Sequence, residues 1–270
     1  MTHAHTTYHE AIHTALHILA ADMCYEISPS ETSQERAYLR ALMKLRDPAP
    51  LPDGYLEAEA IVLDTERERQ GTATWEDATA SSVHPRIALW RGDITRLEVD
   101  AIVNAANSAL LGCRAPGHTC IDNAIHSAAG LELRQACADV MAERARGDGP
   151  SGFPTGEAVL TPGFHLPSRF VIHTVGPIVS GLLTDEHREA LARSYRRCLE
   201  EAVAHGLNTV AFCCISTGVF GFPQEEAARI AVATVADFLD SEAPGASELR
   251  VIFDVFGDRD EALYRALLGL

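Results

Sequence analysis

Six short apolar runs, spaced by amphipathic stretches, constrain the fold of this chain more than anything else in it. They are Ile87-Ala88-Leu89-Trp90, Ala101-Ile102-Val103, Ala158-Val159-Leu160, Phe170-Val171-Ile172-His173, Val210-Ala211-Phe212-Cys213-Cys214-Ile215 and Val251-Ile252-Phe253-Asp254-Val255. Several are apolar without alternation, as expected of strands covered on both faces. Between them the periodicity predicts helices near 121–145, 185–205, 224–240 and 259–268. Strands interleaved with helices imply an α/β domain of three layers, α/β/α, over residues 86–270. Strand direction is left open by periodicity, and no internal repeat is apparent. With 270 residues and 47% apolar composition, the chain has material for a full core and an extension besides.

Residues 1–85 differ in texture. Tyr8 to Tyr25 and Ser33 to Leu45 carry helical periodicity; Ser30 or Ser33 is a candidate cap for the second helix, and Asp47-Pro48 should stop it. Pro48, Pro50, Pro52, Asp53 and Gly54 form a breaker cluster. The following stretch, Glu57 to Ala80, is charged and shows no clear period. These features read as a helical N-terminal extension packed on the domain that follows. His9, His13 and His17 fall on one face of the first helix, but no carboxylate or thiol stands at an equally firm spacing, so they read as a solvated polar stripe.

A formal charge of −16 argues against non-specific nucleic-acid binding, which needs cations to displace phosphate counterions. It leaves room for a phosphate-bearing ligand, because backbone N–H groups bind phosphate without side-chain cations. The seven cysteines lack framework spacing and suit a reducing compartment. Cys24, Cys137, Cys198, Cys213 and Cys214 read as buried small hydrophobes. No secretory leader or spanning apolar run is evident, so a cytoplasmic protein without membrane partners is expected.

The candidate chemistry lies in the turns. In α/β sheets ligands bind beyond the carboxyl ends of strands. Gly92-Asp93-Ile94 follows the first apolar run, where Asp93 can accept from an exocyclic amine. Asn104-Ala105-Ala106-Asn107 follows the second, with two amide side chains free to converge on a sugar. Ser216-Thr217-Gly218-Val219-Phe220-Gly221-Phe222-Pro223 follows the fifth, and its glycines permit close backbone approach to a diphosphate. Just before the 121–145 helix stands Cys113-Arg114-Ala115-Pro116-Gly117-His118-Thr119-Cys120, bent by Pro116 and Gly117. Two thiols and an imidazole are soft and borderline ligands of the kind zinc takes, and three of them leave a fourth position open. A structural zinc remains the alternative to a catalytic one. His126 is the nearest rival ligand, and it lies four residues beyond Asp122 on the same helix face. Asp122 reads either as a base that orients water or as a helix cap.

Together these segments resemble the signature segments of macrodomains, the ADP-ribose-binding fold: Gly92-Asp93-Ile94-Thr95, Val99-Asp100-Ala101-Ile102-Val103-Asn104-Ala105-Ala106-Asn107 and Ser216 to Pro223. Most macrodomain hydrolases have a glycine-rich loop before an aspartate after the second signature. Here the Cys113–Cys120 loop precedes Ile121-Asp122-Asn123-Ala124-Ile125-His126, which resembles the zinc-dependent subfamily of microbial mono-ADP-ribosyl hydrolases, whose members also carry a helical N-terminal extension. The resemblance is strong over residues 86–268 and general over 1–85.

The resemblance implies a mixed central sheet of about six strands with helices on both faces. It assigns Asp93 to adenine, with Ile94 also among the ligand-binding residues, Asn104 and Asn107 to the distal ribose region, and Ser216, Thr217, Gly218, Val219, Phe220, Gly221 and Phe222 to diphosphate and distal ribose. Phe256 would pack near adenine, Cys113, His118 and Cys120 would hold Zn2+, and Asp122 would orient water or act as base. The implied activity is zinc-dependent removal of mono-ADP-ribose from proteins, with ester linkages to Asp or Glu. Members of the subfamily are often paired with a sirtuin-type transferase and a lipoyl-carrier substrate. An ADP-ribose-binding module without turnover and an O-acetyl-ADP-ribose deacetylase are the alternatives.

Overall fold

The computed structural model describes residues 7–27, 34–115, 117–147 and 151–270. Seven strands form one sheet: β1 (Thr79–Ala80), β2 (Ile87–Arg91), β3 (Ala101–Ala105), β4 (Ala158–Pro162), β5 (Phe170–Thr174), β6 (Thr209–Phe212) and β7 (Arg250–Val255), in the order β1-β2-β7-β6-β3-β5-β4. The five inner strands run parallel, and β1 and β4 are antiparallel edges. The parallel core explains the unbroken apolar runs, since β3 and β7 are buried on both faces. The strand beyond the six expected is β1, two exposed residues with no burial pattern to betray them. The sheet therefore reaches back before residue 86.

The helices that cover the sheet are α4 (Ile121–Ala129), α5 (Leu131–Arg144), α6 (Asp185–Ala204), α7 (Gln224–Leu239) and α8 (Asp258–Leu268). A chain of rings stitches α6, β6, β7 and α8 together: Tyr195 to Phe212 at 5.0 Å, Phe212 to Phe253 at 6.3 Å and Phe253 to Tyr264 at 5.0 Å between centroids. The single helix expected over 121–145 is two. Gly130 breaks it at φ +90, where a Cβ would meet the Glu59 carboxylate at 2.9 Å.

Three helices make the extension: α1 (Tyr8–Asp22), α2 (Glu35–Leu45) and α3 (Tyr55–Gln70). Thr7 and Glu10 form a capping box at the start of α1. The caps proposed for α2, Ser30 and Ser33, lie outside the described residues, as does Pro116. Helix α1 stops at Asp22 rather than Tyr25, which leaves Cys24 exposed past its end, unlike the buried Cys137, Cys198 and Cys213. His9, His13 and His17 are all exposed.

Helix α3 was hidden in the period-less segment because its inner face, Tyr55, Ala58, Glu59, Val62 and Leu63, includes a buried carboxylate. Glu66 on α3 receives Arg36 of α2 through two hydrogen bonds, 2.6 and 2.7 Å, and the Tyr8 hydroxyl of α1 at 2.7 Å. The extension is docked on the sheet domain by polar contacts as well as by apolar packing. Glu59 accepts the Leu131 N–H at 3.1 Å, an orphan donor at the start of α5, together with the Tyr55 hydroxyl at 2.8 Å. Arg67 donates to the His165 carbonyl at 2.8 Å. Among the described residues no helix is long and apolar enough to cross a membrane.

Truncating Glu59 would strand both of its donors in a buried site. Glu59→Ala should lower stability by about 1–3 kcal/mol, as expected for unsatisfied buried groups, read as a fall in the urea midpoint. An unchanged midpoint would mean that this contact does not hold the extension in place.

Candidate functional site

A cleft of about 830 Å³ opens at the carboxyl ends of β2, β3, β6 and β7. One end is formed by Gly92, Asp93 and Ile94 with Asp254 and Phe256, the side by Ser216 to Phe220, and the other end by Asn107, Asp122 and the Cys113–Cys120 loop. Asp93 Oδ1 accepts from the Thr95 N–H at 3.0 Å and from its hydroxyl at 2.7 Å, which holds the short turn that presents Ile94.

The floor of the cleft is a carboxylate held by two amides. Asn104 donates to Asp122 Oδ1 at 2.8 Å and Asn107 donates to Oδ2 at 3.2 Å. The second hydrogen of the Asn104 amide points to His173 Nδ1 at 3.1 Å, while His173 Nε2 meets the Thr161 hydroxyl at 2.9 Å. That chain fixes the Asn104 amide and keeps the wholly buried imidazole neutral; burial lowers the His173 pKa to about 3. Burial pushes the Asp122 carboxyl up to about 6, against the pull of Asn104, the Arg134 charge and Asn107. His126 Nε2 lies 3.6 Å from Asp122 Oδ1, too far for a hydrogen bond, and burial takes the His126 pKa well below its ordinary value. Asp122 does not cap α4: its carboxylate is turned to the two asparagines.

The thiol–imidazole loop lines the same end. Cys113 Sγ lies 3.1 Å from His118 Nδ1, and the ligand atoms of Cys113, His118 and Cys120 are all within 4.8 Å of one another. Asn123 on α4 donates to the Cys113 carbonyl at 3.2 Å, and Arg114 reaches back to Asp47 at 2.5 Å and to the Leu45 carbonyl. Burial raises the Cys120 thiol to about 11, so a thiolate there calls for a nearby cation. The donor set of two sulfurs and one nitrogen fits a zinc-class ion, with no fourth side chain in the group among the described residues. Burial lowers the Lys44 ammonium on α2, and the Cys113 and Cys120 thiols act in the opposite direction.

The glycine-rich loop closes on itself through Gly221 N–H to the Gly218 carbonyl and Phe222 N–H to the Ser216 carbonyl, both 3.0 Å. Ser216 adopts φ +66, an uncommon conformation for a residue with a side chain. Its hydroxyl would lie 2.0 Å from a Cβ on Gly176, so this close crossing requires glycine at 176.

The Macro domain family profile matches residues 103–231. A Treponema medium protein named protein-ADP-ribose hydrolase is 44% identical over 243 residues, 89% of this chain and 90% of its own. A protein of the same name from Staphylococcus aureus strain MSSA476 is 42% identical over 240 residues, 88% of this chain and 86% of its own. The chain belongs to the Macro domain family. The solved structure of a Trypanosoma brucei macrodomain in complex with ADP-ribose is similar at a TM-score of 0.62 and 31% identity, covering 90% of this chain and 97% of that one.

In this Macro domain the cleft gathers Asp93, Ile94, Asn107, Asp122, Cys113, His118, Cys120, Ser216, Thr217, Gly218, Val219, Phe220 and Phe256. Three residues singled out from the sequence are not on its wall. Asn104 is wholly buried behind Asp122, so its amide serves the carboxylate and not a sugar. Phe222 is packed in the core and Gly221 turns the chain outward; the pair closes the loop instead of facing the cleft.

Asp254 is the functional candidate that sequence reasoning passed over. It lines the cleft, is 5% exposed, and its Oδ1 has no hydrogen-bond partner in the described structure. Its signal was an acid inside the apolar run Val251–Val255. Burial, reinforced by the neighbouring Asp93 charge, raises its pKa well above the ordinary carboxylate range.

A carboxyl with a raised folded-state pKa stabilises the fold below its unfolded value, and that contribution is lost as pH rises toward the folded value. Asp254→Asn removes the loss. The variant should gain stability relative to the parent as pH climbs above about 4, the ordinary carboxylate pKa. Urea midpoints of both proteins at pH 5 and pH 8 test this, and a gap that stays constant would show that Asp254 is not held protonated.

Proposed function

We propose that this protein is a hydrolase that frees single ADP-ribose units from modified protein side chains, with zinc held by Cys113, His118 and Cys120. The observation that carries the reading is the pairing, at one end of one cleft, of a carboxylate fixed by two amides with a loop of two thiols and an imidazole. Support also comes from the hydrolase names of relatives that align along most of the chain. Adenine would lie against Ile94 and Phe256, whose exposed ring offers a stacking face, with Asp93 accepting from the exocyclic amine. The diphosphate would follow Thr217 to Phe220, where backbone N–H groups take the place of cations. The distal ribose then falls beside Asn107 and Asp122.

In the reaction, water oxygen bonds to the anomeric carbon as the bond from that carbon to the side-chain oxygen breaks. Asp122 accepts the proton of the attacking water, and Asn104 and Asn107 hold its two oxygens in place. The departing group takes the bonding electron pair. When it is a carboxylate, with an ordinary pKa near 4, it leaves without a proton donor, which favours ester linkages to Asp or Glu. When bound, zinc supplies Lewis-acid chemistry at a site with only three protein ligands.

Removing the base should cost rate more than binding. Asp122→Asn is expected to lower hydrolysis of a glutamate-linked ADP-ribosylated protein by about 10²–10⁴-fold, with ADP-ribose still bound in calorimetry. Full activity in that variant would overturn the assignment of the base, and ADP-ribose binding without any turnover in the parent would make the protein a reader instead. The metal is tested separately. Purified protein should contain zinc, and chelation or Cys113→Ala should abolish hydrolysis while the circular dichroism spectrum persists; an unchanged rate after complete chelation would remove zinc from the mechanism.

A further inference from the structure

The histidine stripe on α1 has a partner that its own sequence neighbourhood did not reveal. His13 and His17, one helical turn apart, project from the exposed face of α1, with ring centroids 4.1 Å apart. Glu35, the first residue of α2, reaches into the same place and meets His13 Nδ1 at 2.8 Å. One nitrogen from each ring and one carboxylate oxygen lie within 4.8 Å of one another. The geometry points to a second metal site, at which His13, His17 and Glu35 bind a borderline divalent cation of the zinc class.

The argument is one of donor chemistry and reach. Two imidazoles at i and i+4 with a carboxylate from a second segment form a set that Zn2+, Co2+ and Ni2+ accept, and three ligands leave positions for water. Bonds of about 2.0–2.2 Å put the ligand atoms of a tetrahedral ion roughly 3.4 Å from one another, and side-chain rotations suffice to reach that spacing from the present one. The two histidines are exposed and not packed against the core, so they are free to make that adjustment. The Glu35 carboxylate is already sheltered, at 15% side-chain exposure, and so is held in place at little further entropic cost. A chain with a formal charge of −16 also raises the local concentration of cations.

An ion here would tie α1 to α2 at the end of α2 opposite Met43, Leu45 and Arg46, whose carbonyls receive Arg134 and Arg114. The site lies outside the cleft and is independent of zinc at the cysteine loop. Its cation would be structural, a cross-link within the extension.

The test uses the full chain, stripped of metal and titrated with Co2+ and then Zn2+. The parent should bind about two equivalents, and Cys113→Ser/Cys120→Ser should retain about one, with nitrogen–oxygen spectra lacking thiolate-to-cobalt charge transfer. His13→Ala/His17→Ala should keep the thiolate band and the hydrolysis rate while losing the second equivalent. Glu35→Gln, which preserves shape, should weaken that equivalent by at least about tenfold, since even partners of ligands matter by 10–100-fold. An unchanged cobalt stoichiometry and affinity in both the histidine and the glutamine variants would overturn the site.

Discussion

Arg134 is the interaction on which most of this molecule's unusual features depend. Its guanidinium is buried, 4% exposed, and no acid among the described residues is hydrogen-bonded to it. It donates instead to carbonyls: Leu111 at 2.9 Å on the approach to the thiol–imidazole loop, Arg46 at 2.9 Å, and Met43. Those acceptors come from the end of α2 and from the entrance to the thiol–imidazole loop, segments far apart in sequence. A buried guanidinium left without partners is costly, so extension and loop are bound to a common point on α5. Burial, joined by the nearby Arg114, lowers the Arg134 pKa to about 10, which leaves it charged at neutral pH. That charge in turn opposes the burial of Asp122. One side chain thus couples the docking of the extension to the state of the carboxylate in the cleft.

The sheet was legible because its physics is local. The six apolar runs became β2 to β7; the five inner ones run parallel, and strands covered on both faces admit apolar residues at every position, while β4 is an antiparallel edge. The elements missed were those whose pattern is spoiled by tertiary partners. Helix α3 carries Glu59 on its inner face, where the Tyr55 hydroxyl and the start of α5, 72 residues away, together make a carboxylate acceptable. Strand β1 is two exposed residues whose only credential is the edge of β2. The break at Gly130 had a sequence signal, a glycine within an apolar period, but nothing local showed that Glu59 fills the space a side chain would need.

The site was legible in part and for a different reason. Loops that follow strands converge at one end of a parallel sheet, so Asp93, Asn107, Asp122 and the glycine-rich loop fall around one cleft once the strand order is known. The sequence did not disclose how polar groups divide their hydrogen bonds. Both asparagines looked free to grip a sugar; in the fold the Asn104 NH2 is committed to Asp122 and His173, and the Asn107 NH2 to Asp122 and the Gly112 carbonyl. His13 and His17 looked unsupported because their third partner comes from α2, 22 residues beyond His13.

The electrostatics of the cleft follow from this division. Asp93, Asp122, Asp254 and Asp260 all line it, a poor setting for an anionic ligand if each were charged. Burial answers part of the problem at Asp254, whose pKa it raises well above the ordinary carboxylate range, while Asp122, raised to about 6, stays charged at neutral pH. The rest is answered from outside the sheet. Arg40 on α2 feels the charge of Asp93, Lys44 stands beside the thiols, and Arg114 and Arg134 bracket the loop through carbonyls of the extension. The sheet domain supplies the shape of the cleft and its acids, and the extension supplies Arg40 and Lys44 and, through the carbonyls of Met43, Leu45 and Arg46, anchors Arg134 and Arg114. A chain of strongly negative total charge therefore keeps cations beside its acidic cleft, and the helical part that looked like an appendage in the sequence contributes to the electrostatics around that cleft.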